Sequence, residues 1–233
     1  MSLLDDIQAL GGHNLNALDA AHDHYYHTKR LWRLFQAVVG RGNRKVKFQN
    51  RMTGKTVTEE DLVALAQPYT TERLPSAALQ QCVTVFESFL TDLTRLWLIH
   101  SPDSLRKKQL EFSAVLDSPD KAAVIQSVVD KTVNEVAYGS VADWFAYLES
   151  RVHLGCPTKD EIARLAEIKA SRDVLVHGQG IVNSTYIRKA GRQARFAAGQ
   201  KLIVPEHYLN DAFLLIRKIT GDLSQATVDK VQE

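Results

Sequence analysis

From Pro75 to Pro102 the chain reads PSAALQQCVTVFESFLTDLTRLWLIHSP, and its apolar residues recur at three- and four-residue intervals: Cys82, Val85, Phe86, Phe89, Leu93, Leu96 and Trp97. That period gathers them into one wide stripe on a helix and would scatter them over both faces of a strand. A helix with so broad an apolar stripe has to be covered by other elements, and the sequence offers further helices to do it. Residues 15–39 read as a helix, LNALDAAHDHYYHTKRLWRLFQAVV, stopped by Gly40 and Gly42. Thr58 with Asp61 has the form of a capping box and opens a short helix through DLVALAQ. Further helices are expected at 120–137, 141–152, 158–177 and 205–223. Strand patterning is confined to KVKFQNRMTGKTV, where Val46 and Phe48 alternate with polar residues before Thr53-Gly54, which suggests a short basic hairpin or an irregular excursion. The expectation is an all-α helical bundle with no repeat, low-complexity tract or clear linker.

Composition supports a core: 45% of the 233 residues are hydrophobic and 24% charged, so disorder is not the default. The opening MSLLDDIQALGG places two acids where a secretory leader has its basic region, and no apolar run nears the ~18 residues of a membrane span. A cytoplasmic protein is expected. Cys82 and Cys156 form no CxxC pair and read as core filling, with neither disulfide nor zinc chemistry. Net charge is only +2, yet residues 24–58 hold no acid and nine cations: Lys29, Arg30, Arg33, Arg41, Arg44, Lys45, Lys47, Arg51 and Lys55. Residues 174–205 again lack acids and hold Arg188, Lys189, Arg192, Arg195 and Lys201, so the rest of the chain has 15 cations against all 27 acids. Such segregation suits a polyanion, and RNA contact is expected through these two stretches.

Four signatures could carry chemistry. TGKT at 53–56 resembles the tail of a phosphate loop, but position 49 is Gln where that loop needs Gly, and no buried strand leads into it, so it reads as a turn. In HDHYYH, Asp23 and His27 lie one helical turn apart and could share a metal with His22 or His24; no third ligand is evident, and the segment reads as a solvated face with its tyrosines turned inward. Glu87 and Asp92 are five apart, ~140° around a helix, and do not form a face-sharing acid pair. The fourth is RDVLVH, Arg172 to His177, whose bare spacing also occurs in RLWLIH, Arg95 to His100. Context separates the two. After Arg172 come a polar residue, then His177 followed by Gly178, Gly180 and an acid-free loop, whereas Leu96 and Trp97 belong to the apolar stripe, so RLWLIH reads as structural.

The segment EIARLAEIKASRDVLVHGQGIVNSTY resembles the signature helix of the HEPN superfamily, helical domains with an R-polar-x3-H motif that often act as metal-independent endoribonucleases. Gly180, Asn183 and Tyr186 look like the residues that follow the motif in some bacterial groups. CVTVFESFLTDLTRLWL resembles the earlier "fE.fl.dl" helix of the RiboL-PSP-HEPN and MAE types. The likeness spans 75–223; residues 1–74 form an extension outside it. It implies that Arg172 and His177 are catalytic with Asp173 beside them, and that Glu87, Asn183 and Tyr186 support the site. It implies no cofactor and no metal. It also implies a homodimer whose two motifs face each other, plausible work in a toxin–antitoxin or anti-phage defence system with a partner there, or alternatively a catalytically silent module that binds RNA or nucleotides or mediates dimerisation. The polar position holds Asp where most members have Asn, and the H-x-Tyr modification target of toxins paired with nucleotidyltransferases is missing. Side-chain chemistry agrees. Metal-free RNA cleavage needs proton transfer at both oxygens and positive charge on the phosphate, and imidazole and guanidinium supply them. Residues i and i+5 diverge by ~140° on one helix. Arg172 and His177 therefore need either unwinding at Gly178 or a second subunit to converge, while Asp173, one turn before His177, could orient the imidazole.

Overall fold

The computed structural model describes residues 2–39, 47–110 and 112–232. It is all-α. Helix α1 runs Leu3–Val39, a ribbon β1 (Lys47–Gln49) pairs antiparallel with β2 (Thr56–Thr58), and α2 spans Glu59–Pro68. Next come α3 (Leu74–His100), α4 (Phe112–Leu116), α5 (Lys121–Ala137), α6 (Val141–Val152), α7 (Lys159–His177), α8 (Ser184–Ala190) and α9 (Glu206–Gln232). No described helix is long and apolar enough to cross a membrane.

The starts of three helices follow from reciprocal capping boxes in which a hydroxyl accepts from the third backbone amide and that residue's carboxylate accepts from the cap amide: Thr58 with Asp61, Ser140 with Asp143, and Thr158 with Glu161. α2 and α3 are joined without a break by a π-helical turn, Tyr69–Arg73, so the division at residue 74 falls inside one helical run. The turn precedes Pro75, whose ring would press on the carbonyl four residues back in a regular helix, and one wider turn relieves that contact.

Two expected helix ends lie elsewhere. α1 begins at Leu3 and not at the expected residue 15, and it passes straight through Gly11-Gly12. A methyl group at Gly11 would sit 2.5 Å from Ser224 Oγ and 2.8 Å from Ser224 Cβ, so this glycine permits close approach of α1 to α9. α9 runs on past residue 223 because Leu223, Thr227 and Val228 are still buried.

Helix α3 is the axis of the bundle, flanked by α1, α5, α7 and α9. Cys82, Phe86, Phe89 and Leu93 are buried, while Val85, Leu96 and Trp97 are half-buried at the edge of the stripe. α1 contributes Ile7, Leu18, Ala21 and Tyr25 to the same core. A second cluster, Leu98 with Leu105, Val128, Val129 and Val133, closes the end where α3 meets α5. The chain after α7 is held by two-way pairing of its own ends: Val182 and Gly199 donate to Gln200 and Val182 carbonyls at 2.9 and 2.8 Å, and Leu202 donates to Gly180 at 2.7 Å. This closure fixes α8 against α7.

Candidate functional site

Helix α7 ends at His177. The Gly178 and Gly180 amides both donate to the Val174 carbonyl, at 2.9 and 3.1 Å, and the chain reverses through left-handed backbone at Gln179 (φ 51°) and Gly180 (φ 77°). The helix therefore does not unwind at Gly178 (φ −105°); it stays regular to His177 and turns one residue later. At that end His177 is exposed, and among the described residues its side chain makes no hydrogen bond or ion pair.

Arg172 faces the other way, toward α3. Its side chain is only 15% exposed, and it pairs with Glu87, which also takes Lys169 one turn earlier on α7. Arg172 Nη1 is 3.2 Å from Asp173 Oδ1, and Asp173 accepts from Lys189 of α8 at 2.9 Å. Arg172 Nε is buried without a partner among the described residues. Three cations thus surround two carboxylates. The Lys169 ammonium also lies over the Trp144 ring, 5.8 Å from its centroid. The expected Asp173–His177 pair does not form, because the Asp173 carboxylate is taken by Lys189 and Arg172.

Five residues before Arg172 lies a carboxylate that nothing in the local sequence singles out. Glu167 is 3% exposed, yet it is fully satisfied. Its Oε1 accepts from Ser171 Oγ at 2.7 Å, Tyr186 OH at 2.8 Å and Arg195 Nε at 3.0 Å, and its Oε2 accepts from Tyr208 OH at 2.7 Å. Burial, with the neighbouring Glu167 charge, raises both tyrosine hydroxyls above their ordinary range, which keeps them protonated and donating. The Arg195 guanidinium also stacks on Tyr208, 3.3 Å from its ring centroid. Arg195 is therefore committed to the interior, whereas Arg188, Lys189 and Arg192 are exposed. Asn183 caps α8 by accepting from the Tyr186 amide at 3.0 Å, and the Tyr186 side chain is buried in the Glu167 cluster. Asn183 is otherwise exposed, whereas Tyr186 is withdrawn into the core. The sequence trace of Glu167 is its register: Glu167, Ser171 and Val174 fall at i, i+4 and i+7 on a buried row.

The remaining basic residues divide as follows. Arg51 and Lys55 are exposed at the ribbon, Lys47 falls on β1, and Arg41, Arg44 and Lys45 lie outside the described residues. In RLWLIH, Arg95 pairs with Asp92 at 2.9 Å and Asp130 at 3.3 Å, a bridge between α3 and α5. In HDHYYH, Tyr25 is buried but Tyr26 is exposed, and His22 stacks on Phe213 at 4.3 Å. Among the described residues no group of three or more His, Cys, Asp and Glu side chains is placed to hold a metal ion. Comparison with family models, curated proteins and solved structures finds no match to the chain.

Proposed function

We propose that the chain is a metal-independent endoribonuclease of HEPN type whose site is completed by a second copy. The observation that carries this reading is the meeting of Glu87 with Arg172, 85 positions apart in sequence, on a helix that ends at an exposed His177 with no side-chain partner among the described residues. Lys169, Arg172 and Lys189 give the end of α7 a net positive charge over Glu87 and Asp173, suited to a phosphate. Arg172 and His177 diverge on a regular helix, so one copy does not present both to one phosphodiester, and two motifs face to face would. In that arrangement one imidazole takes the proton of the 2′-hydroxyl as its oxygen bonds to phosphorus, and the other protonates the departing 5′-oxygen. Products end in a 2′,3′-cyclic phosphate and a 5′-hydroxyl. Arg188, Arg192, Arg51 and Lys55 contact the backbone away from the cut.

The same ion pairs favour a second reading. Arg172 has its terminal nitrogens on Glu87 and Asp173, which fits a silent module that binds RNA through its exposed cations. RNA cleavage by wild type beside His177→Ala, with metal stripped and chelator present, separates the two. The nuclease requires cyclic-phosphate products, a loss of about 100-fold or more in His177→Ala, and a dimer by sedimentation with RNA. Binding without cleavage supports the silent module. Undiminished cleavage in His177→Ala, or cleavage abolished by chelator, overturns the mechanism.

A further inference from the structure

The C-terminal part of α1 carries an apolar face that the described fold leaves uncovered. Leu31, Leu34 and Val38 are 65%, 60% and 62% exposed, and with Phe35 they fall at i, i+3, i+4 and i+7, a single stripe. Leu62 and Leu65 of α2 continue the apolar surface, with Leu65 exposed. Trp32 stands between the two helices, its ring 5.3 Å from Tyr69 and 5.9 Å from Phe35 between centroids, so its orientation is fixed on two sides. It divides two open cavities. One, of about 230 Å³, is lined by Leu31, Trp32, Phe35 and Leu62; the other, of about 190 Å³, by Trp32, Leu65, Pro68, Tyr69 and Arg73.

We propose that this groove receives an amphipathic helix of a partner protein, one with an apolar stripe and acidic flanks. Contiguous exposed apolar surface marks an interaction site. Each cavity is smaller than the ~300–1,000 Å³ of small-molecule sites, and two such cavities either side of a fixed tryptophan suit the successive knobs of a docked helix. Charge selects the partner. Arg30 lies beside the stripe and, among the described residues, donates only to the Tyr26 hydroxyl, at 3.1 Å. Arg33 and Arg73 are both exposed and make no side-chain hydrogen bond or ion pair among the described residues; Arg33 helps to lower the pKa of Glu206, whose carboxylate is bridged to Lys29. Asp61, beside Leu62, is committed to its capping box with Thr58. The following sequence GRGNRKV, residues 40–46, adds three cations, no acid and one apolar residue, so it brings charge of the same sign and little apolar surface of its own. A flat lipid surface would make no use of two knob-sized cavities.

The test uses a fluorescein-labelled helical peptide with leucines at i, i+4 and i+7 and glutamates on both flanks, beside the same peptide with lysines in place of the glutamates. Anisotropy is read on the full chain and on two variants substituted at exposed positions, Leu31→Ser/Leu34→Ser and Arg30→Glu/Arg33→Glu, each checked for an unchanged thermal melt. The glutamate peptide is expected to bind at least about tenfold more tightly than the lysine peptide, with the difference lost in Leu31→Ser/Leu34→Ser and reversed in Arg30→Glu/Arg33→Glu. Equal binding of the two peptides, or no binding of either, overturns the proposal. So does vesicle binding (phosphatidylcholine with phosphatidylglycerol) that Leu31→Ser/Leu34→Ser abolishes, or self-association lost in that variant, since these name a membrane or a second copy as the occupant.

Discussion

Glu87 holds two cations of α7, Lys169 and Arg172, against α3. All three side chains are mostly but not wholly withdrawn from water, so removing the carboxylate strands two charges where hydration is poor. Glu87→Ala is expected to cost roughly 1–3 kcal/mol of stability, below the value for a fully buried pair because of residual exposure. His177→Ala, at an exposed position with no side-chain partner among the described residues, should cost less than about 0.5 kcal/mol. Urea unfolding of the two variants checks both, and a large loss in His177→Ala would mean that the imidazole has a structural partner. The resemblance put Glu87 and Arg172 in one site, but the ion pair between them takes shape only once α3 and α7 pack together. Lys169 and Glu167 were not legible, because a charged residue on a helix reads as solvated until the neighbouring helix is in place. Glu167 becomes a buried acceptor only when Tyr186, Arg195 and Tyr208 converge from three later parts of the chain.

Three helix starts were legible for a local reason: each capping box is written within four residues, and the Thr58, Ser140 and Thr158 caps need nothing from tertiary structure. The start of α1 was missed, although Ser2 and Asp5 exchange the same pair of bonds. A glycine inside a helix acts differently according to whether another helix packs on it. Gly11 and Gly12 make this measurable. Gly11→Ala drives a methyl group into Ser224 and should destabilise by about 1–3 kcal/mol as α1 and α9 are forced apart. At Gly12 nothing lies within 4 Å, and Gly12→Ala should stabilise by about 0.5–1 kcal/mol through helix propensity. Opposite signs in two denaturation curves are the expected outcome. Two losses of similar size would show that the close approach at Ser224 does not govern this crossing.

Across the whole molecule, α9 is tied to its neighbours by carboxylates that its partners hold below their ordinary range. Arg217 lowers Asp19 of α1, Lys29 of α1 lowers Glu206, and Lys218, helped by the Thr158 amide, holds Glu161 of α7 down to about 2 from an ordinary 4.5. A carboxylate depressed in the fold binds fewer protons there than in the unfolded chain, so its stabilisation is present above the unfolded value and lost as pH falls through the folded one. Stability should therefore decline as pH falls from about 4.5 toward 2, and Glu161→Gln should show a shallower decline, read by urea midpoints at about pH 7 and about pH 3. An identical pH slope in the variant would place the acid sensitivity elsewhere. Length has a consequence of its own. The 37 residues of α1 extend about 55 Å at 1.5 Å per residue, whereas a sphere of 233 residues measures roughly 45 Å across. A rod longer than the mean width of its body runs to the body's edge, and there Leu31, Leu34 and Val38 stand open to water while Trp32 still packs on Tyr69. Helix ends with few buried contacts open most readily, so the last two turns of α1 are where the helix–coil balance is most sensitive to a neighbour alongside.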